Sequence, residues 1–294
     1  MKKTKVGILG IGAIGSVIIT GLYKNENLEL RHFNRSKKEM AMVQFHDTFY
    51  SIPLNIQQDI FIPIKLDWLI ICLKEHQLED AKNLLQKLIS RKTKIAIIRN
   101  GIELKKPLLP FAKENHILEC MINCPTQPAR DQVYQQLGFP IITTAVGDLA
   151  NDFQQLFKNK DFQFRQVEDF KTENWKKLLE SASLGAITCL TGETCWIFED
   201  KKIRKLYQNL MTESIQVAKA DGAIIPLDFV NIMLEKIKTY PKQKGTSMLT
   251  DRKLGRPIEL GAKNGAIVRL GKIYKINTPL NDLVCTLLGK TNHI

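Results

Sequence analysis

Lys5-Val6-Gly7-Ile8-Leu9-Gly10-Ile11-Gly12-Ala13-Ile14-Gly15-Ser16 is the stretch whose reading decides the fold. Val6, Ile8 and Leu9 predict a short buried strand, and Val17 onward predicts a helix. Gly10-x-Gly12-x-x-Gly15 is the tight turn between them. In such a turn the first glycine permits the bend, the second lets backbone approach a pyrophosphate, and the third allows the helix to pack closely on the strand. Free N–H groups and the positive end of the helix dipole then face the phosphates. A glycine turn alone is common. One that follows an apolar strand and opens a helix has the context that a dinucleotide site requires. Gly10, Ile11, Gly12, Ala13, Ile14 and Gly15 are therefore the expected cofactor-binding residues.

The next strand is expected over 28–33, and it ends in Asn34-Arg35-Ser36-Lys37-Lys38. In a dinucleotide fold this strand end meets the adenosine ribose, where an acidic residue would select NAD and repel a 2′-phosphate. This chain offers no Asp or Glu there, but an amide, a hydroxyl and several cations. A guanidinium grips phosphate in a fork, so Asn34, Arg35 and Ser36 point to NADP (as NADPH) as the cofactor. The competing reading is a solvated basic turn.

Farther along, residues 44–65 read as short strands and loop. The apolar run 66–73 predicts a parallel strand covered on both faces. It ends in Lys74, and an amphipathic helix follows to about residue 89. A strand over 94–98 ends in Arg99-Asn100-Gly101. Lys74 and Asn100 thus fall at strand C-termini, where open α/β sheets place their ligands. Strands over 116–124 and 139–146 follow, with a break at Pro125-Thr-Gln-Pro128, then a helix over 148–157 and a last strand over 162–165. After residue 168 the pattern is helical, with helices expected over 175–190, 203–221, 227–239 and 258–276. The chain is read as α/β: an N-terminal Rossmann-type domain, 1–167, followed by an all-helical domain, 168–294. The cleft between them is the default active site.

At 294 residues the chain has length for two cores, and 44% apolar with 25% charged residues is a globular composition. Its start, Met-Lys-Lys-Thr-Lys, runs straight into the first strand, so no signal peptide is expected. Nor is any membrane span. Six cysteines without a CxxC pair read as reduced core residues, which gives a cytoplasmic expectation. No His/Cys/carboxylate cluster has metal-ligand spacing. The net charge of +13 invites a nucleic-acid reading, but the 43 Lys and Arg are scattered, without an aromatic-rich basic motif. A basic surface equally suits an enzyme whose cofactor and substrate are anions.

Four segments taken together resemble the ketopantoate reductase (2-dehydropantoate 2-reductase) family. They are the glycine turn with Asn34-Arg-Ser36; Cys72-Leu-Lys-Glu-His-Gln77; Arg99-Asn-Gly101; and a pair in the helical domain. In that pair, Asn174-Trp-Lys-Lys-Leu-Leu-Glu-Ser181 is similar to the family's lysine helix. Thr246-Ser-Met-Leu-Thr-Asp251, with Pro257-Ile-Glu-Leu260 and Asn264-Gly265 beyond it, is similar to its Ser-Met-x-x-Asp segment. The resemblance implies a 6-phosphogluconate-dehydrogenase-like helical domain and reduction of the 2-keto group of ketopantoate by NADPH. By motif, Lys177 is the implied general acid, and Glu259 the carboxylate that fixes the lysine and the substrate hydroxyl. Ser247, Ser181 and Asn100 are the implied substrate contacts, and Lys74 stands near the nicotinamide. Asn100 and Glu259 are also expected at the cofactor.

Residue chemistry agrees with those roles. Hydride arriving at a carbonyl carbon leaves negative charge on oxygen, which an adjacent ammonium both stabilises and protonates. On their own, Lys177 would read as a surface lysine and Glu259 as a helix N-terminal acid. The chain also departs from the family: Arg99 stands where the family has a glutamine-like residue, and Ser181 and Gly185 stand where it usually has asparagines. These departures keep open a related reductase of another 2-oxo or 3-hydroxy acid. A non-catalytic NADP-binding protein is the reading from a different class. A small-molecule 2-oxo acid is the expected partner, with no specific nucleic acid and no membrane, for a monomer or homodimer.

Overall fold

The opening stretch forms β1 (Thr4–Leu9), a turn, and α1 (Ala13–Leu22) in a computed structural model that describes residues 2–58, 60–129 and 132–291. The elements that follow are β2 (Leu28–Phe33), β3 (Met40–Phe45), β4 (Thr48–Pro53), β5 (Ile56–Gln57) and β6 (Trp68–Ile71). Then come α2 (Glu75–Asp80), α3 (Lys82–Leu88), β7 (Lys94–Ile98), β8 (Ile117–Asn123), β9 (Thr126–Pro128) and β10 (Val133–Gln136). β11 (Ile141–Ala145), α4 (Asp148–Gln154) and β12 (Gln163–Val167) complete the α/β part. Among the described residues the strands form two sheets, ordered β12-β11-β8-β7-β6-β1-β2-β5 and β4-β3-β10-β9. The larger sheet is parallel except where β11 pairs antiparallel to β8.

Period-2 alternation explains why its central strands are apolar throughout. Val6 and Ile8, Trp68 and Ile70, and Ala96 and Ile98 join one core with Val17, Ile18 and Leu22 of α1. Leu9, Leu69 and Ile71, and Ile95 and Ile97 join a second core with Leu85 and Leu88 of α3. Successive side chains point to opposite faces, so a strand buried on both must be apolar at every position. Each fully buried Leu or Ile is worth roughly 1.5–3 kcal/mol, so the two covered faces stabilise these central strands.

The second sheet was not legible. Residues 125–128, expected as a break, contain edge strand β9, which pairs antiparallel with β10. Prolines are tolerated there because an edge strand has one row of N–H groups without ladder partners. β10 pairs parallel with β3 across ninety residues of chain, Val133 against Met42.

The rest is helical: α5 (Phe170–Thr191), α6 (Lys201–Ala220), α7 (Phe229–Lys238), α8 (Ser247–Lys253), α9 (Asn264–Tyr274) and α10 (Pro279–Thr291). Trp175, Leu179, Tyr207, Met211, Phe229 and Ile267 centre its core. Caps set several helix ends. Asp200 accepts from Lys202 N at α6, and Thr246 Oγ1 accepts from Leu249 N at α8. Buried Glu213 accepts from the backbone N–H groups of Leu280 and Asn281 in the first turn of α10. The expected helix over 258–276 is a correction: residues 258–263 are not helical, with a turn at 260–263, and the helix begins at Asn264. Glu259 therefore lies just before that turn and is not a helix N-terminal acid.

The chain divides into two compact units: Met1–Arg99 with Glu103–Phe170, and Asn100–Ile102 with Lys171–Ile294. Among the described residues no helix is long and apolar enough to cross a membrane.

Candidate active site

In the first unit the glycine turn is built as its spacing requires. Gly10 has φ +90°, and a Cβ there would lie 2.7 Å from Leu73 Cδ2 and 3.1 Å from the Cys72 carbonyl carbon. A Cβ on Gly15 would be driven into the Gly10 carbonyl oxygen, so α1 approaches its own turn as closely as backbone allows. Gly12 differs. It caps α1 with no side-chain hydrogen bond, it is exposed, and a Cβ would meet nothing within 4 Å. The N-terminus of α1 thus presents unfilled space and uncapped N–H groups, which suits the phosphates of a dinucleotide.

The predicted ribose-side residues join this turn. Asn34 Oδ1 accepts from Ile11 N at 3.1 Å, and its Nδ2 donates to Ser36 O at 2.9 Å and Ser36 Oγ at 3.1 Å. One amide therefore pins the end of β2 to the glycine turn and aligns Ser36. Arg35 is exposed and forms an ion pair of 3.9 Å with exposed Asp80, so it is held only by a water-screened contact. Lys38 is half-buried, reaching the Ile11 carbonyl at 3.4 Å and lying 4.8 Å from the Tyr134 ring centre; burial pulls its pKa down. Lys74 opens α2, its backbone N–H donating to Gln77 Oε1 at 3.0 Å. It follows Cys72 and Leu73, the residues packed against Gly10.

The second unit draws the other predicted residues together by printed contacts between elements distant in sequence. Asn174 Nδ2, one turn before Lys177 on α5, donates to Gly101 O at 2.9 Å. Gly101, at φ +110°, leaves only 2.9 Å between a would-be Cβ and the Ala262 carbonyl oxygen. Beside Ala262, Lys263 Nζ donates to Ser247 Oγ at 3.2 Å. Next to Ser247, Met248 packs on Gly185, where a Cβ would lie 2.6 Å from Met248 Sδ. The Asn100 loop, α5, the start of α8 and the 259–263 segment are thereby stitched into one group.

Within it the side chains differ in what they can offer. Ser181 Oγ donates to Leu178 O at 3.3 Å, so its proton is engaged by its own helix. Glu259 is 6% exposed. A buried carboxylate is costly to maintain, and such groups concentrate at working sites. Ile258 and Leu260 on either side of it pack with Met248, which anchors its segment. Lys177 and Asn100 are half-buried.

Lys263 was missed by the sequence reading. It is 2% exposed, yet it lies among small residues in a stretch read as helix, where nothing distinguishes it from a solvated lysine. Gly185 is the other surprise: the space of the family's asparagine is taken by Met248. Burial pushes Cys72 up to about 12 and Cys120 well above the ordinary thiol value. No group of His, Cys, Asp and Glu among the described residues could hold a metal ion.

Two family models match the chain: ketopantoate reductase PanE/ApbA over residues 6–150, and ketopantoate reductase PanE/ApbA C terminal over residues 169–292. A 2-dehydropantoate 2-reductase of Caulobacter vibrioides is 26% identical over 286 residues, 97% of this chain and 98% of that protein. A solved dimeric ketopantoate reductase from Staphylococcus aureus superposes with TM-score 0.86 at 24% identity, covering 98% of each chain. A ternary structure of D-mandelate dehydrogenase with NADH and anilino(oxo)acetate gives TM-score 0.87 at 19% identity, again over 98% of each chain.

Proposed function

The chain belongs to the ketopantoate reductase family, and from that premise we propose that it reduces 2-dehydropantoate to (R)-pantoate with NADPH, a step of pantothenate and coenzyme A biosynthesis. The contacts that gather Asn174 of the lysine helix, Ser247 and the Glu259 segment into one group carry this reading. They join the segments on which the family motif is written.

A nicotinamide dinucleotide bound at the glycine turn supplies hydride to the carbonyl carbon of the substrate. The uncapped N-terminus of α1 holds its phosphates, with Gly10, Ile11, Gly12, Ala13, Ile14 and Gly15 as the cradle. Asn34, Arg35 and Ser36 select NADPH, since a guanidinium and a hydroxyl bind a 2′-phosphate and no carboxylate repels it. Lys74 serves the nicotinamide side. Lys177 holds its ammonium toward the substrate carbonyl oxygen and gives that oxygen a proton as it becomes an alkoxide, leaving a hydroxyl and an oxidised cofactor. Glu259 accepts from Lys177 and from the substrate hydroxyl once substrate brings them together. Asn100, Ser247 and Ser181 hold the 2-oxo acid. Six free thiols suit a cytoplasmic enzyme.

One observation favours a second reading, another 2-oxo acid as substrate. Met248 fills the space beside Gly185, and Ser181 has spent its proton, so two polar contacts of the family are altered. The test is oxidation of NADPH and NADH by purified protein with 2-dehydropantoate, 2-oxoisovalerate, oxaloacetate and acetolactate. Fastest turnover is expected with NADPH and 2-dehydropantoate. Preference for another acid moves the substrate assignment, preference for NADH overturns the role of Arg35 and Ser36, and tight NADPH binding without turnover makes the protein a non-catalytic binder.

A further inference from the structure

Lys263 is sealed inside the second unit at 2% exposure, while the Ser247 hydroxyl it touches stands exposed at the start of α8. A buried ammonium is costly to maintain, and this one is set in a charged group. Lys263, Arg252 and the buried Asp251 all act electrostatically on the Cys189 thiol, which itself donates to Met248 O at 3.6 Å. An ammonium has three hydrogens and no lone pair. Ser247 can therefore only accept from Lys263, and its own proton must point elsewhere. A hydroxyl whose oxygen accepts from a cation is also a stronger donor, because hydrogen bonds in a chain polarise one another. Ser181 has the opposite polarity: its proton goes to the Leu178 carbonyl, so it has only lone pairs to offer.

We propose that Lys263 is a positioning residue that commits Ser247 to donate, so that the site selects substrates with a carboxylate oxygen at Ser247 over neutral esters or lactones. The inference rests on the reductase reading above and adds to it a residue outside the motif segments that identify the family.

The experiment compares KM and kcat for 2-dehydropantoate and for its neutral lactone, with NADPH, in wild type and variants. Lys263→Met is expected to raise KM for the acid about tenfold, with a smaller fall in kcat and little change for the lactone. Lys263→Gln keeps an N–H donor and should recover most of the lost preference. Ser247→Ala, which leaves Lys263 in place, should lose the acid preference too, and the double variant should be no worse than either single one. A folded Lys263→Met with unchanged preference overturns the proposal. So does Ser247→Ala with its preference intact, and that result decides the matter if Lys263→Met fails to fold. A wild-type chain that reduces no 2-oxo acid overturns the reductase reading and this one with it. An active wild type with unmoved preference overturns the role of Lys263 alone.

Discussion

The glycine turn of the first unit and the stitched group of the second are built from opposite materials. At the turn, what matters is the absence of side chains: Gly15 touches the Gly10 carbonyl, and Gly12 leaves space open at the helix start. In the second unit the residues proposed to meet a ligand act through their side chains, held by contacts such as Asn174 to Gly101 and Lys263 to Ser247. The first kind of site fails when atoms are added, and the second when they are removed. A reductase needs both kinds, since a polyanionic cofactor wants oriented backbone dipoles and a keto group wants one well-placed cation.

Adding a single carbon at Gly15 should give the largest effect. Gly15→Ala forces backbone apart, so NADPH affinity should fall at least 100-fold and the melting temperature should drop, at a cost of about 3 kcal/mol or more. Gly12→Ala is the control, because its Cβ meets nothing: the melt should match wild type while NADPH binding weakens. Fluorescence titration and thermal melts read both, and normal binding by Gly15→Ala would refute the backbone-built half. Removing atoms comes next. Lys177→Ala should lower kcat at least 10²-fold, about 3 kcal/mol, with NADPH affinity retained. Near-normal turnover takes this lysine out of the chemistry.

Two smaller effects compare one buried position in each unit. His32 on β2 is buried with neither ring nitrogen hydrogen-bonded, and burial lowers its pKa from 6.5 to about 4. The fold thus refuses a proton that the unfolded chain accepts. Stability is full above pH 6.5 and falls as pH drops toward 4, by a total approaching about 3 kcal/mol. Urea midpoints at pH 7 and pH 4.5 should differ less in His32→Leu; equal slopes would show that His32 does not drive the loss. In the second unit, restoring the family's amide by Gly185→Asn should cost about 1–3 kcal/mol, because Met248 already fills the space. Met248→Ala should recover part of that in a double variant, and simple additivity in melts would show the two are not coupled.

This contrast also explains what could be read in advance. Gly10, Gly12 and Gly15 sit within six residues and answer to local geometry, so sequence alone exposes them. The two-faced strands were equally plain, since Leu69, Ile70 and Ile71 leave no polar face. The pairing of β10 with β3 was hidden because residues of no distinctive pattern meet across ninety positions. Lys263 and Met248 were hidden for the same reason: the burial of one and the reach of the other depend on elements distant in the chain. Motif resemblance supplied Lys177, Ser247 and Glu259; periodicity would have left all three as surface residues.

Asn100, Gly101 and Ile102 leave the strand before them and lodge in the helical half, so the polypeptide passes from one half to the other three times. Dissection by a single cut is therefore ruled out. A fragment starting at residue 171 would lose Ile102 from its core and the acceptor for Asn174, leaving a sealed amide hydrogen with nowhere to go. The helical half inherits part of its interior from a stretch of gene that otherwise encodes the α/β half, which disfavours shuffling it as a cassette.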